Sequence, residues 1–262
     1  MRDFTLAMYS KLCSEIKSSS YVPITVEEYC RGIGESLEKF IILRHDVDRK
    51  PDHALKLAQI ENKLNIKSTY YFRMNPRVFV PSIIRDISDL GHEIGYHYEA
   101  LDKAKGELNK AIMIFESELK KFKKFYAVKT ICMHGNPVSS WDNKDLWSKY
   151  DFRDFGILGE AYNSVNFEDV VYFSETGRDW SGKYSIKDNA NNAFREKISS
   201  TSDLINLIKR NRLNYFYVNT HPERWDDGMV SWSMQYMSQN LKNIIKLYIY
   251  HRKYNGSRKL HY

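Results

Sequence analysis

The chain carries apolar runs that are each too short for a helix and that each end in a polar cluster. FIIL at 40–43 leads into Arg44-His45-Asp46-Val47-Asp48, and EIGYH at 93–97 leads into Tyr98-Glu99. VKTICM at 128–133 leads into His134-Gly135-Asn136-Pro137, and VVYF at 170–173 into Ser174-Glu175-Thr176-Gly177-Arg178-Asp179-Trp180. YFYV at 215–218 leads into Asn219-Thr220-His221-Pro222-Glu223-Arg224-Trp225. Stretches with helical spacing separate these runs, as at 51–63, where Ala54, Leu55, Leu57, Ala58 and Ile60 recur. The pattern predicts strands at 40–43, 68–72, 93–97, 128–133, 170–173, 182–185 and 215–218. It predicts helices at 5–17, 51–63, 81–90, 101–124, 142–149, 202–210 and 235–252. Strands alternating with helices imply parallel βαβ units with right-handed crossovers. Periodicity alone leaves a barrel and an open sheet equally possible. In either, all strand carboxyl ends lie on one side, where sites of such folds are built. The five polar clusters are therefore expected to converge.

Within them, Asp46 and Asp48 are two residues apart, so in extended chain both carboxylates face one way. Two carboxylates that close repel unless a cation or a proton intervenes. A divalent metal on one leaves the other free as a base. His97 ends a strand on the same side, and neutral imidazole suits zinc and similar metals, so it is a candidate ligand beside Asp48. His134 is held at a strand tip by Gly-Asn-Pro. His221, extended before Pro222, is a candidate acid or substrate contact. His92 reads as structural, and His53, His251 and His261 have no such context.

Together, Asp-Val-Asp at 46–48, Gly-His-Glu-Ile-Gly-Tyr-His at 91–97 and a late strand ending in His221 resemble the polysaccharide deacetylase superfamily (NodB-homology, carbohydrate esterase family four) over roughly 40–225. More narrowly, HDVD, HGNPVSSWDN, ETGRDW and HPERW resemble the deacetylase-like proteins of bacterial O-antigen and capsule biosynthesis. The resemblance implies an α/β fold, a distorted (β/α) barrel of about seven strands. It implies a single domain over 1–262, with an N-terminal helical segment at 1–39, a barrel core at 40–225, and a C-terminal helix and basic tail at 226–262. It makes Asp46 the general base toward the attacking water, Asp48 and His97 metal ligands, and His221 the acid that protonates the leaving amine. The reaction would be metal-assisted removal of an N-acyl group, acetyl or formyl, from a sugar, with zinc the first candidate metal. The family's second metal histidine falls on Leu101, which cannot bind metal. His134 is the favoured third ligand and Glu99 the alternative. Arg178, Trp180, Arg224 and Trp225 suit a sugar site, since Trp faces stack on pyranose rings and Arg forks grip carboxylate or phosphate. Glu175 and Arg44 complete the expected substrate contacts. The alternative is a non-catalytic glycan- or nucleotide-sugar-binding relative with a degraded metal site.

Charge enters as a question of partner. Forty Lys and Arg against 33 Asp and Glu give a net +7. No zinc-finger spacing, glycine-rich phosphate loop or RNA-binding strand signature accompanies it, so nucleic acid is not the expected partner. A nucleotide-linked or lipid-linked oligosaccharide precursor is. The apolar, aromatic and basic stretch at 244–254 is read as a core-packed last helix or as a peripheral contact with an anionic membrane. The amino terminus has no apolar signal-peptide core, and three cysteines lack CxxC spacing, which places the expected protein in the cytoplasm or at the inner face of its membrane.

Overall fold

The computed structural model describes residues 2–185, 194 and 196–258. In chain order, α1 (Leu6–Ser18), β1 (Val22–Ile24) and α2 (Val26–Cys30) precede β2 (Phe40–Val47) and α3 (Pro51–Lys63). There follow β3 (Thr69–Arg73), α4 (Pro81–Asp89), β4 (Glu93–Tyr98), α5 (Ala100–Lys103), α6 (Leu108–Phe122), β5 (Thr130–Met133) and β6 (Gly159–Glu160). The chain continues through β7 (Val171–Ser174), α7 (Thr201–Arg210), β8 (Tyr215–Thr220) and α8 (Met229–Arg258).

All ladders are parallel, in the order β6-β5-β4-β3-β2-β8-β7, with β1 added beside β2. Side chains decide between barrel and open sheet. β2 and β6 are four strand spacings apart, about 19 Å if the sheet were flat. Yet Arg44 on β2 donates a 2.7 Å hydrogen bond to the hydroxyl of Tyr162, just past β6. That hydroxyl is in turn 3.5 Å from the hydroxyl of Tyr172 on β7. The sheet therefore curls until its two edges face each other: a distorted (β/α) barrel.

Strand alternation sorts the core. Phe40, Ile42, Tyr71, Cys132, Tyr172 and Tyr217 share one cluster inside the curl. Their neighbours Ile41, Leu43, Phe216 and Val218 pack outward on α1, α3 and α7. Tyr70, Phe72, Tyr96 and Ile131 pack outward on the α4 and α6 side. Gly95 is required by this filling, because a Cβ there would lie 2.2 Å from the Tyr71 ring.

Several expectations needed revision. The N-terminal segment is not only helical, since β1 joins the sheet. It was missed because three residues carry too little periodicity to read. The long 101–124 helix is two, α5 and α6, broken at Gly106 (φ 88°), beside which the Trp141 ring packs. Residues 142–149 hold a short 3-10 helix, Asn143–Ser148, and 182–185 form a turn and not a strand. α7 starts at a Ser200–Asp203 capping box, a feature worth about 1 kcal/mol. No described helix is long and apolar enough to cross a membrane. The tail residues 259–262, including Lys259 and His261, lie outside the described residues.

Candidate metal and acid–base centre

The inward alternation of each strand continues past its apolar part into polar residues. On β2 the inward series Phe40, Ile42 runs on through Arg44 and Asp46 to Asp48. From β8 it adds Asn219 and His221, from β4 His97 and Glu99, from β5 Cys132 and His134, and from β3 Arg73. The clusters far apart in sequence thus stack in one shaft, greasy below and charged at the mouth.

Arg44 lies at the bottom of the polar part and is fully buried. Its Nε donates to Asp46 Oδ1 at 2.8 Å and its Nη2 to Asp46 Oδ2 at 2.6 Å. Asn219 Nδ2 adds a 3.2 Å bond to Oδ2. Burial acts to raise the Asp46 pKa, but Arg44, and then His97, hold it well below the usual carboxylate range. Asp46 is therefore ionised and rigidly aimed, at a cost in basicity. Arg44 was expected to touch substrate. Its burial and its two partners rule that out and make it the holder of Asp46.

Asp48 sits one step nearer the mouth. Its Oδ1 is 3.5 Å from His97 Nε2 and 3.5 Å from His134 Nε2, and it is buried without a hydrogen-bond partner among the described residues. Burial opposes ionisation here too, yet His134, His97 and then His221 lower the Asp48 pKa to about 2. His97 Nδ1 is 3.0 Å from the carbonyl of Cys132. A carbonyl only accepts, so the ring proton is on Nδ1 and the Nε2 lone pair faces the carboxylate. Burial lowers the His134 pKa, against the pull of Asp48. The His97 lone pair and the His134 Nε2 thus crowd one ionised oxygen that has no hydrogen-bond partner among the described residues, an arrangement that a cation among them would complete. The donor set, one carboxylate and two imidazoles, is the chemistry of a zinc-type site. These residues fit the metal that the family resemblance implies.

Glu99 stands behind His134, 3.7 Å from its Nδ1. Arg73 is hydrogen-bonded to Glu99, and Lys103 Nζ is 3.2 Å away. With two cations already on it, Glu99 serves His134 from behind; it does not face Asp48. A second grouping, Asp46, His97 and Cys132, also brings three ligand atoms within 4.8 Å of one another. The Arg44 guanidinium already occupies both oxygens of Asp46, so this grouping is the poorer cation site.

His221 lies beside Glu175, whose Oε2 is 3.7 Å from its Nδ1. Burial and Arg224 push the His221 pKa down, but Glu175, then Asp46, push harder, and the net shift is upward. Glu175 is fully buried and pairs with Arg224 at 3.1 Å; burial raises its pKa, but Arg224 and His221 together outweigh this and lower it. It positions His221 and Arg224, where a substrate contact was expected. Arg178 and Arg224 line a cavity of about 600 Å³ together with Asp48, Arg73 and His134.

The two tryptophans are elsewhere. Trp225 is fully buried against Phe4 and Tyr9, and Trp180 donates to Thr201 Oγ1 at 3.0 Å from inside the same cluster. Neither can stack on a sugar; the Arg-Trp pattern in sequence marked packing. Arg73, Asn219 and Glu223 were not singled out from sequence. The signal was alternation: Arg73 is two past Tyr71, and Asn219 two before His221. Burial, followed by the charge of Asp48, pushes Glu223 up to about 7. Leu101, at the family's second metal-histidine position, is buried in the core.

The fold and site together define a parallel barrel with a carboxylate–imidazole centre at its strand ends. No protein-family model and no curated protein matches the sequence. Among solved structures, the chain is similar to BA3943, a CE4 family pseudoenzyme from Bacillus anthracis, at 13% identity and a TM-score of 0.36, over 86% of this chain and 66% of that one. One mutant of that protein matches at 15% identity and 0.36, over 80% and 63%. Another, with restored enzymatic activity, matches at 13% and 0.36, over 86% and 68%. The present chain thus spans about two thirds, or slightly less, of those proteins. CE4 is carbohydrate esterase family four, the polysaccharide deacetylase family that the sequence motifs resemble.

Proposed function

We propose that the protein is a metal-dependent hydrolase that removes an N-acyl group, acetyl or formyl, from a sugar in a surface-polysaccharide precursor of the O-antigen or capsule type. The observation that carries the reading is the buried, unpartnered Oδ1 of Asp48 with a histidine Nε2 on each side at 3.5 Å, opening on the cavity. Asp48, His97 and His134 hold the metal, with zinc the first candidate. When bound, the ion supplies Lewis acidity toward an amide carbonyl. Asp46, oriented by Arg44 and Asn219, accepts a proton from the attacking water. His221, kept protonated by Glu175, delivers one to the leaving nitrogen. Arg178 and Arg224 contact the substrate. The precursor assignment rests on the motif resemblance. With it goes a cytoplasmic location facing the inner membrane, where α8, exposing Met234, Met237, Leu241 and Ile244, makes peripheral contact.

The test is direct. Purified full-length protein is analysed for bound metal and for amine release from N-acetyl and N-formyl sugars. Stoichiometric zinc, with turnover lost on chelation and regained on adding zinc back, is the expected result. Metal-free protein that binds an acylated sugar without turnover, even in excess zinc, would establish instead the non-catalytic relative. That second reading is favoured by one observation, the core leucine at position 101.

A further inference from the structure

The wall of the cavity is more basic than the proposed chemistry needs. Six cations line it: Arg49, Lys50, Arg73, Arg178, Arg224 and Lys242. Two are neutralised, Arg73 by Glu99 and Arg224 by Glu175. Of the rest, Arg49, Lys50 and Lys242 pair with no carboxylate among the described residues. Arg178 is the most telling. It is 91% buried, its guanidinium lies 4.7 Å over the Trp232 ring and 5.4 Å from that of Phe4, its Nη1 donates to the Trp232 carbonyl at 3.4 Å, and its Nε and Nη2 have no hydrogen-bond partner among the described residues. A flat fork held against two rings beside a cavity, with two enclosed donors unpartnered among the described residues, suits an anion that reaches it through the cavity. Lys242 comes from α8, far in sequence from Arg49, and the like charges of Arg49 and Arg224 act on it together with the opposite charge of Glu223. The acidic residues of the lining are Asp48, assigned above to the metal, and Glu223. Glu175, Asp3 and Asp226 act on Arg178 from outside the lining, and Asp226 on Lys50, but none of these three carboxylates lines the cavity, so the four cations together suit a ligand with more than one charge.

We infer that the substrate carries a diphosphate beside its acylated sugar, gripped by Arg178, Arg49, Lys50 and Lys242, with the sugar nearer Asp48. The inference rests on the hydrolase reading for the sugar's place, and on the cations alone for the diphosphate. A diphosphate ester supplies two or more negative charges and the oxygen acceptors that an open guanidinium fork takes up. The cavity volume lies within the range of ordinary small-ligand sites.

Calorimetry on the full chain tests it, with inorganic pyrophosphate, uridine diphosphate N-acetylglucosamine, neutral N-acetylglucosamine and glucuronate as probes. Both diphosphates are expected to bind at least tenfold more tightly than the neutral sugar. That advantage should fall by about tenfold or more in the Arg49→Gln/Lys242→Gln double variant, whose two positions are exposed. It should fall further in Arg178→Gln. Vesicles carrying a polyprenyl-diphosphate-linked N-acetylglucosamine decide the source: retention above that of plain vesicles identifies a lipid carrier, and tight binding of the uridine compound alone identifies a nucleotide. Equal affinity for the neutral sugar, glucuronate binding as well as pyrophosphate, or full affinity in the double variant would overturn the inference. A preference that vanishes in His134→Ala would overturn it too, since the ion and not the cations would then read the phosphate. Bound zinc and amine release, measured on the same preparation, report separately on the hydrolase reading. That reading can fail while pyrophosphate binding stands, and the reverse.

Discussion

Two carboxylates in this protein, the fully buried Glu61 and the partly buried Asp48, each face a pair of imidazoles, and they differ in how their oxygens are satisfied. Glu61, on α3 outside the barrel, receives four hydrogen bonds. Tyr9 and His45 Nε2 (2.8 Å) donate to one oxygen, and Ser68 (2.6 Å) and Tyr70 (2.7 Å) to the other. His92 stands 3.6 Å away, and Thr220 closes the far side of His45 at 2.7 Å. Asp48, inside the barrel, has two imidazoles at 3.5 Å and, among the described residues, no hydrogen bond on its inner oxygen. Both are carboxylates beside imidazoles, although Glu61 is fully enclosed and the Asp48 side chain keeps 19% of its surface exposed. Satisfaction separates them: a completed carboxylate network fixes structure, and an incomplete one awaits a ligand. The Glu61 network has a use for the other site, since His45 lies between Arg44 and Asp46 and Thr220 precedes His221. It clamps from outside the two strands that present acid and base within.

Removing members of each set should break this contrast in opposite ways. His97→Ala or Asp48→Asn is expected to leave the fold intact, abolish stoichiometric metal binding and reduce turnover by about 10²–10⁴ or more. Full metal content by elemental analysis would show that Asp48 is only a loop residue. Glu61→Ala should do the reverse. It strands two buried imidazoles and should cost about 3–5 kcal/mol in urea unfolding, with zinc content of the folded fraction unchanged. A loss below about 1 kcal/mol would mean that the network does not carry the load assigned to it.

Acid sharpens the comparison. Burial opposes ionisation of Glu61, but His45, then His92, lower its pKa to about 2, against an ordinary glutamate near 4.3. A depressed carboxyl stabilises the fold above its unfolded pKa, and that contribution drains away as pH falls from about 4.3 toward 2. About 3 kcal/mol is at stake. Unfolding curves at successive pH values, wild type against Glu61→Ala, should converge at the acid end; parallel curves would contradict it. The smallest effect is expected from Cys132→Ser. Arg44 already holds Asp46, so metal content should stay within error, whereas a large loss would shift the ion to the Asp46–His97–Cys132 grouping.

Much of the fold was legible in local pattern. The bounds of α3 follow from Pro51 and the apolar spacing after it, and the main strands follow from short apolar runs. β1 and β6 were not legible, because strands of three and two residues have no period to read. Of the candidate site, Asp46, Asp48, His97, His134 and His221 announced themselves by standing at strand ends. Trp180 and Trp225 stood there too and turned out to be core. A linear pattern gives distance from a strand end but not the direction in which the chain turns afterwards.

What the sequence determined by itself, then, was the alternation: parallel strands, their order of residues inward and outward, and the chemical kinds at their tips. What only the tertiary structure decided was which tips meet. The curl of the sheet brought Tyr162 to Arg44 across four strand spacings, gave Arg44 to Asp46, left Asp48 open between two histidines and laid α8 with Lys242 against the mouth. Periodicity is a property of neighbours along the chain, whereas hydrogen-bond satisfaction and charge crowding depend on neighbours in space. The difference between the Glu61 and Asp48 networks is of that second kind.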